Sequence, residues 1–330
     1  MLTYIVRRLL LALLTTWAIS VLAFVIIQLP PGDYITAYIA QMTASGTVVS
    51  QQLADALREQ YGLDQPLWVQ YVRWMKLVLR GEFGMALEWG KPVSEVIGDR
   101  LWLTMALSIG AILITWLLAL PIGIYSAVRQ YSIGDYVATF IGFIGLAVPS
   151  FMIALILMYL GFRYLGANIG GLFSDQFVEA PWSLAKAWDL LKHLPLPAII
   201  LGLAGTAQLI RIMRANLLDE LGKPYVMTAR ARGLSEWRVI LKYPVRVALN
   251  PFASTVGYLL PYVVSGSIIV SLVLSLPTVG PLLLRALIAQ DMFLAGTIVL
   301  LLGVLTVIGT LVSDLLLMWI DPRIRTEEKR

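Results

Sequence analysis

The 330-residue chain contains no cysteine. A disulfide frame, a thiolate metal site and a cysteine nucleophile are therefore excluded. It has one histidine, His193, so a transition-metal site built on imidazoles is ruled out and a Ser-His-Asp triad would rest on that residue alone. His193 sits at the edge of an apolar run, where loop packing or solvation accounts for it. Neither Gly-Lys pair, Gly90-Lys91 nor Gly222-Lys223, is followed by Ser or Thr. There is no Walker A loop to hold phosphates, and the chain is read as a non-enzyme. A string of buried carboxylates for ion coupling is also missing, since Asp291 precedes the last apolar run and Asp314 lies toward its end, neither at its centre. Charge itself is scarce: 14% of residues are charged against 59% hydrophobic, and mean hydropathy is +0.81. Such a composition lies outside the soluble globular range and describes an integral membrane protein.

Six apolar runs follow one another: Leu9–Leu29, Leu101–Val128, Tyr136–Phe162, Leu194–Ile210 with a continuation through Arg211 and Arg214, Phe252–Leu276, and Met292–Ile320. Each suits a crossing of a bilayer core of about 30 Å. The first is longer than a signal-peptide apolar region and is read as a retained helix. Residues 30–100 carry eight acids and six bases and belong in water or at the interface. Within them Leu67, Tyr71, Trp74, Met75 and Val78 recur at helical spacing opposite Gln70, Arg73 and Lys76. This predicts a surface helix packed on the bundle, or a platform for a partner protein. Residues 163–193 read as an external loop with a short helix from Trp182 to Leu191.

Six crossings put both termini on one side. Arg7 and Arg8, Arg129, eight bases from Arg211 to Arg246 and four from Arg323 to Arg330 fall on that side, which the positive-inside rule identifies as cytoplasmic. The resulting division is a cytoplasmic N terminus (1–8), helix one (9–29), a helical periplasmic insertion (30–100), a five-helix transmembrane core (101–320) with a hairpin at 217–251, and a cytoplasmic tail (321–330).

The hairpin is the most basic stretch, with Arg230, Arg232, Arg238, Lys242 and Arg246 set among apolar residues. Arg230 and Arg232 suit the last turn of a first helix, Gly233 its left-handed C-terminal cap, and Ser235 the start of a second. Three readings compete: binding to anionic lipid, a DNA-binding helix-turn-helix, and docking to a cytoplasmic motor. Both ends of the hairpin run into membrane helices, which disfavours DNA.

Tyr225, Val226, Thr228, Ala229, Arg230, Ala231, Arg232, Gly233 and Leu234, ending at Pro251, resemble the cytoplasmic coupling motif of ABC importer permeases of the dipeptide, oligopeptide and nickel uptake family. The likeness extends to the N-terminal arginine pair, Pro31-Gly32-Asp33, Tyr61–Tyr71, Gly81–Gly84, Pro149–Phe151 and Asp321–Arg325. It implies a type I importer fold: an all-α integral membrane protein with six transmembrane helices. It further implies a pairing with a second, homologous permease, two cytoplasmic ATPase subunits that bind ATP and Mg, and a periplasmic solute-binding protein, in a bacterial or archaeal inner membrane. By the same resemblance Tyr225, Ala229, Ala231, Gly233 and Leu234 contact an ATPase, with Arg230 and Arg232 on the rim. Leu274–Gly280 and Pro224 depart from the family pattern, which leaves the cargo open among peptide, oligosaccharide and metal chelate, with peptide preferred. Gln208, Ser265 and Ser267, polar residues within apolar runs, are candidates for a translocation pathway, interhelical hydrogen bonding being the competing role. No metal site or resident cofactor is expected. The alternative function is a secondary transporter or channel whose basic hairpin binds lipid.

Overall fold

The computed structural model describes residues 2–29, 32–44, 50–166, 169–250, 252 and 267–320. The expected turn at Pro30 and Pro31, Pro251, most of the fifth crossing, Ser265 and the tail 321–330 lie outside the described residues. The helices are α1 (Leu2–Gln28), α2 (Tyr34–Ala44), α3 (Gln51–Tyr61), α4 (Leu67–Leu79), α5 (Val93–Val128), α6 (Ile133–Ala147), α7 (Ser150–Leu160), α8 (Asp175–Val178), α9 (Leu184–His193), α10 (Pro195–Leu221), α11 (Pro224–Ala231), α12 (Glu236–Lys242), α13 (Pro244–Ala248), α14 (Val279–Ile288) and α15 (Met292–Ile320). Among the described residues β structure is confined to a two-residue antiparallel pair, β1 (Met85–Ala86) with β2 (Lys91–Pro92).

Four helices are long and apolar enough to cross a membrane: Val6–Gln28, Val93–Val128, Pro195–Leu221 and Met292–Met318. The run Tyr136–Phe162, expected as one helix, is instead two, α6 and α7, bent by 104°. The cause is local. Proline disfavours helical geometry in the residue before it, and Val148 is extended at φ −94°, ψ 123° ahead of Pro149. The described spans thus number four, or five if this pair is one crossing. Of the run Phe252–Leu276, 267–273 are helical. Two boundaries also move. α5 begins at Val93 and passes a kink at Gly98, and α10 runs unbroken through Arg211 and Arg214 to Leu221.

The chain divides into two compact units. The first covers the described residues within 104–277 and 308–320, and in it α10 packs against α6, α7, α9 and α13. α10 is approached closely by α5 because glycines stand at the crossings. A Cβ on Gly202 would lie 2.4 Å from Thr115 Oγ1, and one on Gly123 would lie 2.7 Å from Met213 Cβ and 3.2 Å from the Ile210 carbonyl oxygen. Thr115 donates to the Gly202 carbonyl at 3.2 Å, so a polar contact accompanies the close packing. Small residues serve this purpose between membrane helices, where van der Waals contact has to replace the hydrophobic effect. On another face Asp135 of α6 accepts both arms of Arg214, at 3.0 and 2.9 Å, with the carboxylate buried.

The second unit covers 2–103 and 278–307. α4 packs on the spans through Trp74, which is 1% exposed, lies 6.2 Å from the Phe24 ring and faces Gly296. Tyr71 hydrogen-bonds Ser20 at 2.9 Å. Helical spacing identified this face with two exceptions. Gln70, assigned to the polar side, is buried and donates to the carbonyls of Gln65 and Leu63, at 2.7 and 3.2 Å, while Leu67 is exposed. The preceding loop leaves carbonyls that need a donor, and the amide supplies it.

Asp291 anchors the β1–β2 turn. Its Oδ1 accepts from Leu294 N at 3.1 Å, capping α15, and its Oδ2 accepts from Leu87 N and Glu88 N, at 2.6 and 3.5 Å. Tyr34 closes the arrangement by donating to the Leu87 carbonyl at 2.9 Å.

Two predictions test these contacts. Gly123→Leu forces a side chain into Met213 and is expected to cost about 1–3 kcal/mol, read as a lower Tm in detergent; an unchanged Tm would refute the close crossing. Burial pushes the Asp291 carboxyl from 3.8 up to about 6 against its three N–H donors. In that window the folded chain holds a proton that the unfolded chain has released, so this group's contribution is complete below the lower value and is lost as pH rises through the upper one. Asp291→Asn removes the titration at a constant cost in hydrogen bonding. Measured from about pH 4 to about pH 7, the variant's Tm should gain on wild type as pH rises. A constant offset would contradict it.

Candidate functional site

The basic stretch folds as helix, turn, helix, for reasons visible residue by residue. Pro224 opens α11 with its fixed φ, and Thr228 Oγ1 donates back to the Pro224 carbonyl at 3.0 Å. Gly233 ends it at φ +75°, its N–H bonded to the Arg230 carbonyl at 2.9 Å. That left-handed position is the one expected of it. Ser235 stands at the start of α12 in extended geometry, but its hydroxyl makes no cap hydrogen bond. The helices are clasped from outside by Arg230. Its Nη2 reaches Glu236 Oε1 at 2.7 Å and its Nε lies 3.2 Å from both carboxylate oxygens. The hydrogen bond from Arg230 holds the Glu236 carboxyl below its ordinary range, and Glu236 raises the guanidinium in return. Tyr225 donates to Glu220; burial, and then that bond, push its phenol upward.

Inside, Val226, Ala229 and Val239 form a small buried core with Leu234 and Tyr243 against it. Ala229, expected at a partner contact, is 4% exposed and holds the two helices together. Tyr225, Arg230, Ala231, Arg232 and Gly233 are on the surface, and Leu234 is half-buried. The structure adds three residues that the motif did not single out. Met227 is 63% exposed, Trp237 66% and Leu241 52%. Their signal in the sequence was position: each lies on the helix face opposite the Val226/Ala229/Val239 core. Large exposed apolar side chains of this kind suit an interaction surface.

The other face of α12 leads inward. Ile240, with Val245 and Ala248 of α13 and Phe252, belongs to the buried cluster formed by Leu209, Ile210, Met213 and Leu217 of α10 and Ile112, Ala119 and Ala127 of α5. Trp116 meets the Phe252 ring edge-on at 6.2 Å. The hairpin is thus one packed body with two membrane-spanning helices.

The expected pathway residues separate. Gln208 is exposed on α10 and lines a cavity of about 370 Å³ with Leu146, Arg211, Ile212 and Ala215. Ser267 is buried. Arg211 lies 6.0 Å over the Phe143 ring. Among the described residues no group of acids and histidines is arranged to hold a metal ion.

With this geometry in hand, comparison with known proteins gives the class. Residues 119–326 match the family described as the binding-protein-dependent transport system inner membrane component, and residues 1–108 match that family's N-terminal region. The chain belongs to this family. It is a permease subunit of an ABC importer, an all-helical protein of the inner membrane that works with a substrate-binding protein and with ATPase partners. It is similar to the oligopeptide transport system permease protein AppB of Bacillus subtilis (strain 168), at 36% identity over 98% of this chain and 99% of that one. The dipeptide transport system permease protein DppB of Alkalihalophilus pseudofirmus is 31% identical over 98% and 100%. The glutathione transport system permease protein GsiC of Salmonella typhi is 33% identical over 98% and 99%.

The turn itself is testable. An alanine at Gly233 meets no neighbour within 4 Å, so its cost is backbone strain alone, about 1 kcal/mol. Gly233→Ala should speed amide exchange across α11 and α12 without lowering global Tm, and unchanged exchange would contradict the strain.

Proposed function

We propose that this chain forms half of a peptide-importing pore and that the hairpin at 217–251 is the joint through which ATPase subunits drive it. The second half is a homologous permease, and two ATPase subunits bind ATP and Mg on the cytoplasmic side. Peptide as cargo is supported by the oligopeptide, dipeptide and glutathione systems named for the relatives. Both termini and the hairpin are assigned to the cytoplasm by their arginines and lysines, and residues 30–100 to the outside, where α4 offers Arg73 and Lys76 to a solute-binding protein.

One observation carries the coupling role: Ile240 and Val245 share a buried core with α5 and α10. Close-packed interiors transmit displacement and do not absorb it. A push on α12 therefore arrives at Met213 and Leu217. In this reading Met227, Trp237 and Leu241 enter an ATPase groove, Tyr225 and Gly233 set its edge, and Ala231 lets the surfaces approach. Arg230 is committed to Glu236, whereas Arg232 makes no ion pair among the described residues and is available at the rim. Gln208 and Arg211 line the route of the solute.

The test uses the assembled transporter. Gly233→Glu and the pair Met227→Glu with Trp237→Glu should insert and join the second permease normally. Both should lose copurified ATPase and about tenfold or more of ATP-dependent uptake in vesicles. Wild-type uptake by either would sink the docking role.

A further inference from the structure

A cavity of about 420 Å³ lies within the second unit. Its size falls in the range of about 300–1,000 Å³ usual for small-molecule sites. Tyr34 and Tyr38, stacked with ring centroids 6.1 Å apart, form one wall, and Ile288 adds apolar surface. One acid and one base complete the lining, Glu88 and Arg285.

Neither charge is neutralised by an ion pair among the described residues, and they do not pair with each other. Both side chains are exposed, on backbone that is anchored. Glu88 follows Leu87 in the turn whose N–H groups Asp291 grips, and Tyr34 is fixed by its bond to the Leu87 carbonyl. Arg285 lies 5.8 Å over the Trp89 ring. Arg100 is within electrostatic reach of Arg285, which adds positive potential on that side. An acid and a base lining one amphipathic cavity define a site whose complement carries both charges.

We propose that this cavity is a subsite for a small zwitterion with a free ammonium and a free carboxylate, the ammonium directed to Glu88, the carboxylate to Arg285, and the body of the molecule against the tyrosines. The inference rests on the reading of the chain as a peptide-import permease, and it gives the permease its own contact with the termini of the cargo, apart from whatever the solute-binding protein recognises.

The experiment uses the complete permease–ATPase assembly in nanodiscs without the solute-binding protein. Binding of radiolabelled trialanine, N-acetyl-trialanine and trialanine amide is measured by equilibrium dialysis. Either cap should weaken binding about tenfold, the worth of one charge-assisted hydrogen bond. Arg285→Gln should abolish the effect of amidation and leave that of acetylation. Glu88→Gln should do the reverse, and Arg285→Lys should retain the amidation effect. Saturable trialanine binding with this crossed pattern supports the subsite. No saturable binding, equal binding of all three peptides, or variants that weaken all three equally overturn it. Uptake by the assembly with its solute-binding protein is followed in parallel. Failure to import any peptide despite the crossed pattern would count against the peptide cargo alone, and import without the pattern would count against the subsite alone.

Discussion

The apolar contact between α12–α13 and the α5–α10 pair governs what the rest of this molecule can do. Ile240 and Val245 are on a segment whose opposite face is rich in charge, yet they are sealed into the same core as Leu209 and Met213. If that face were merely adsorbed at the membrane, the hairpin and the spans would move independently. Because its own helices are separately bound by Val226, Ala229 and Val239 and clasped by Arg230 to Glu236, the hairpin resists being flattened when pressed. Rigidity outside and shared packing inside join the hairpin and the two spans into one packed body.

The spans permit this because they meet through small residues. Gly123 and Gly202 bring α5 against α10 at distances that any added carbon would violate. Close backbone approach gives lateral contact without long side chains that must repack, which suits helices that slide as bodies. The bend between α6 and α7 at Pro149 has a related effect. It interrupts the ladder of backbone bonds where a straight helix would have stiffened the same stretch.

Membrane class, four of the apolar runs, the hairpin and the left-handed glycine were legible because each depends on local pattern: run length, charge placement, and a residue free to adopt positive φ. The misreadings share a physical origin. Gln70 has a polar side chain on an amphipathic helix, but the need of the Leu63 and Gln65 carbonyls for a donor is a fact of tertiary structure. Ala229 looked like a small residue left clear for a partner, and only the return of α12 shows that Val239 fills the space. The exposed apolar surface of Met227, Trp237 and Leu241 became visible once the inward face was known, since an exposed residue is identified by what fails to cover it. The cavity at Glu88 and Arg285 joins positions almost two hundred residues apart in the sequence, and no spacing rule relates them.

Asp135 and Arg214 illustrate a different consequence of burial. Each is adjacent to apolar membrane-spanning sequence, and each satisfies the other through two parallel hydrogen bonds. Loss of one partner leaves an uncompensated charge, a penalty far larger than the net worth of the pair, whereas replacing both with apolar residues is close to neutral. The two positions are therefore not free to drift singly. Through them the histories of α6 and α10 are tied, so that a change tolerated in one helix depends on what the other already carries.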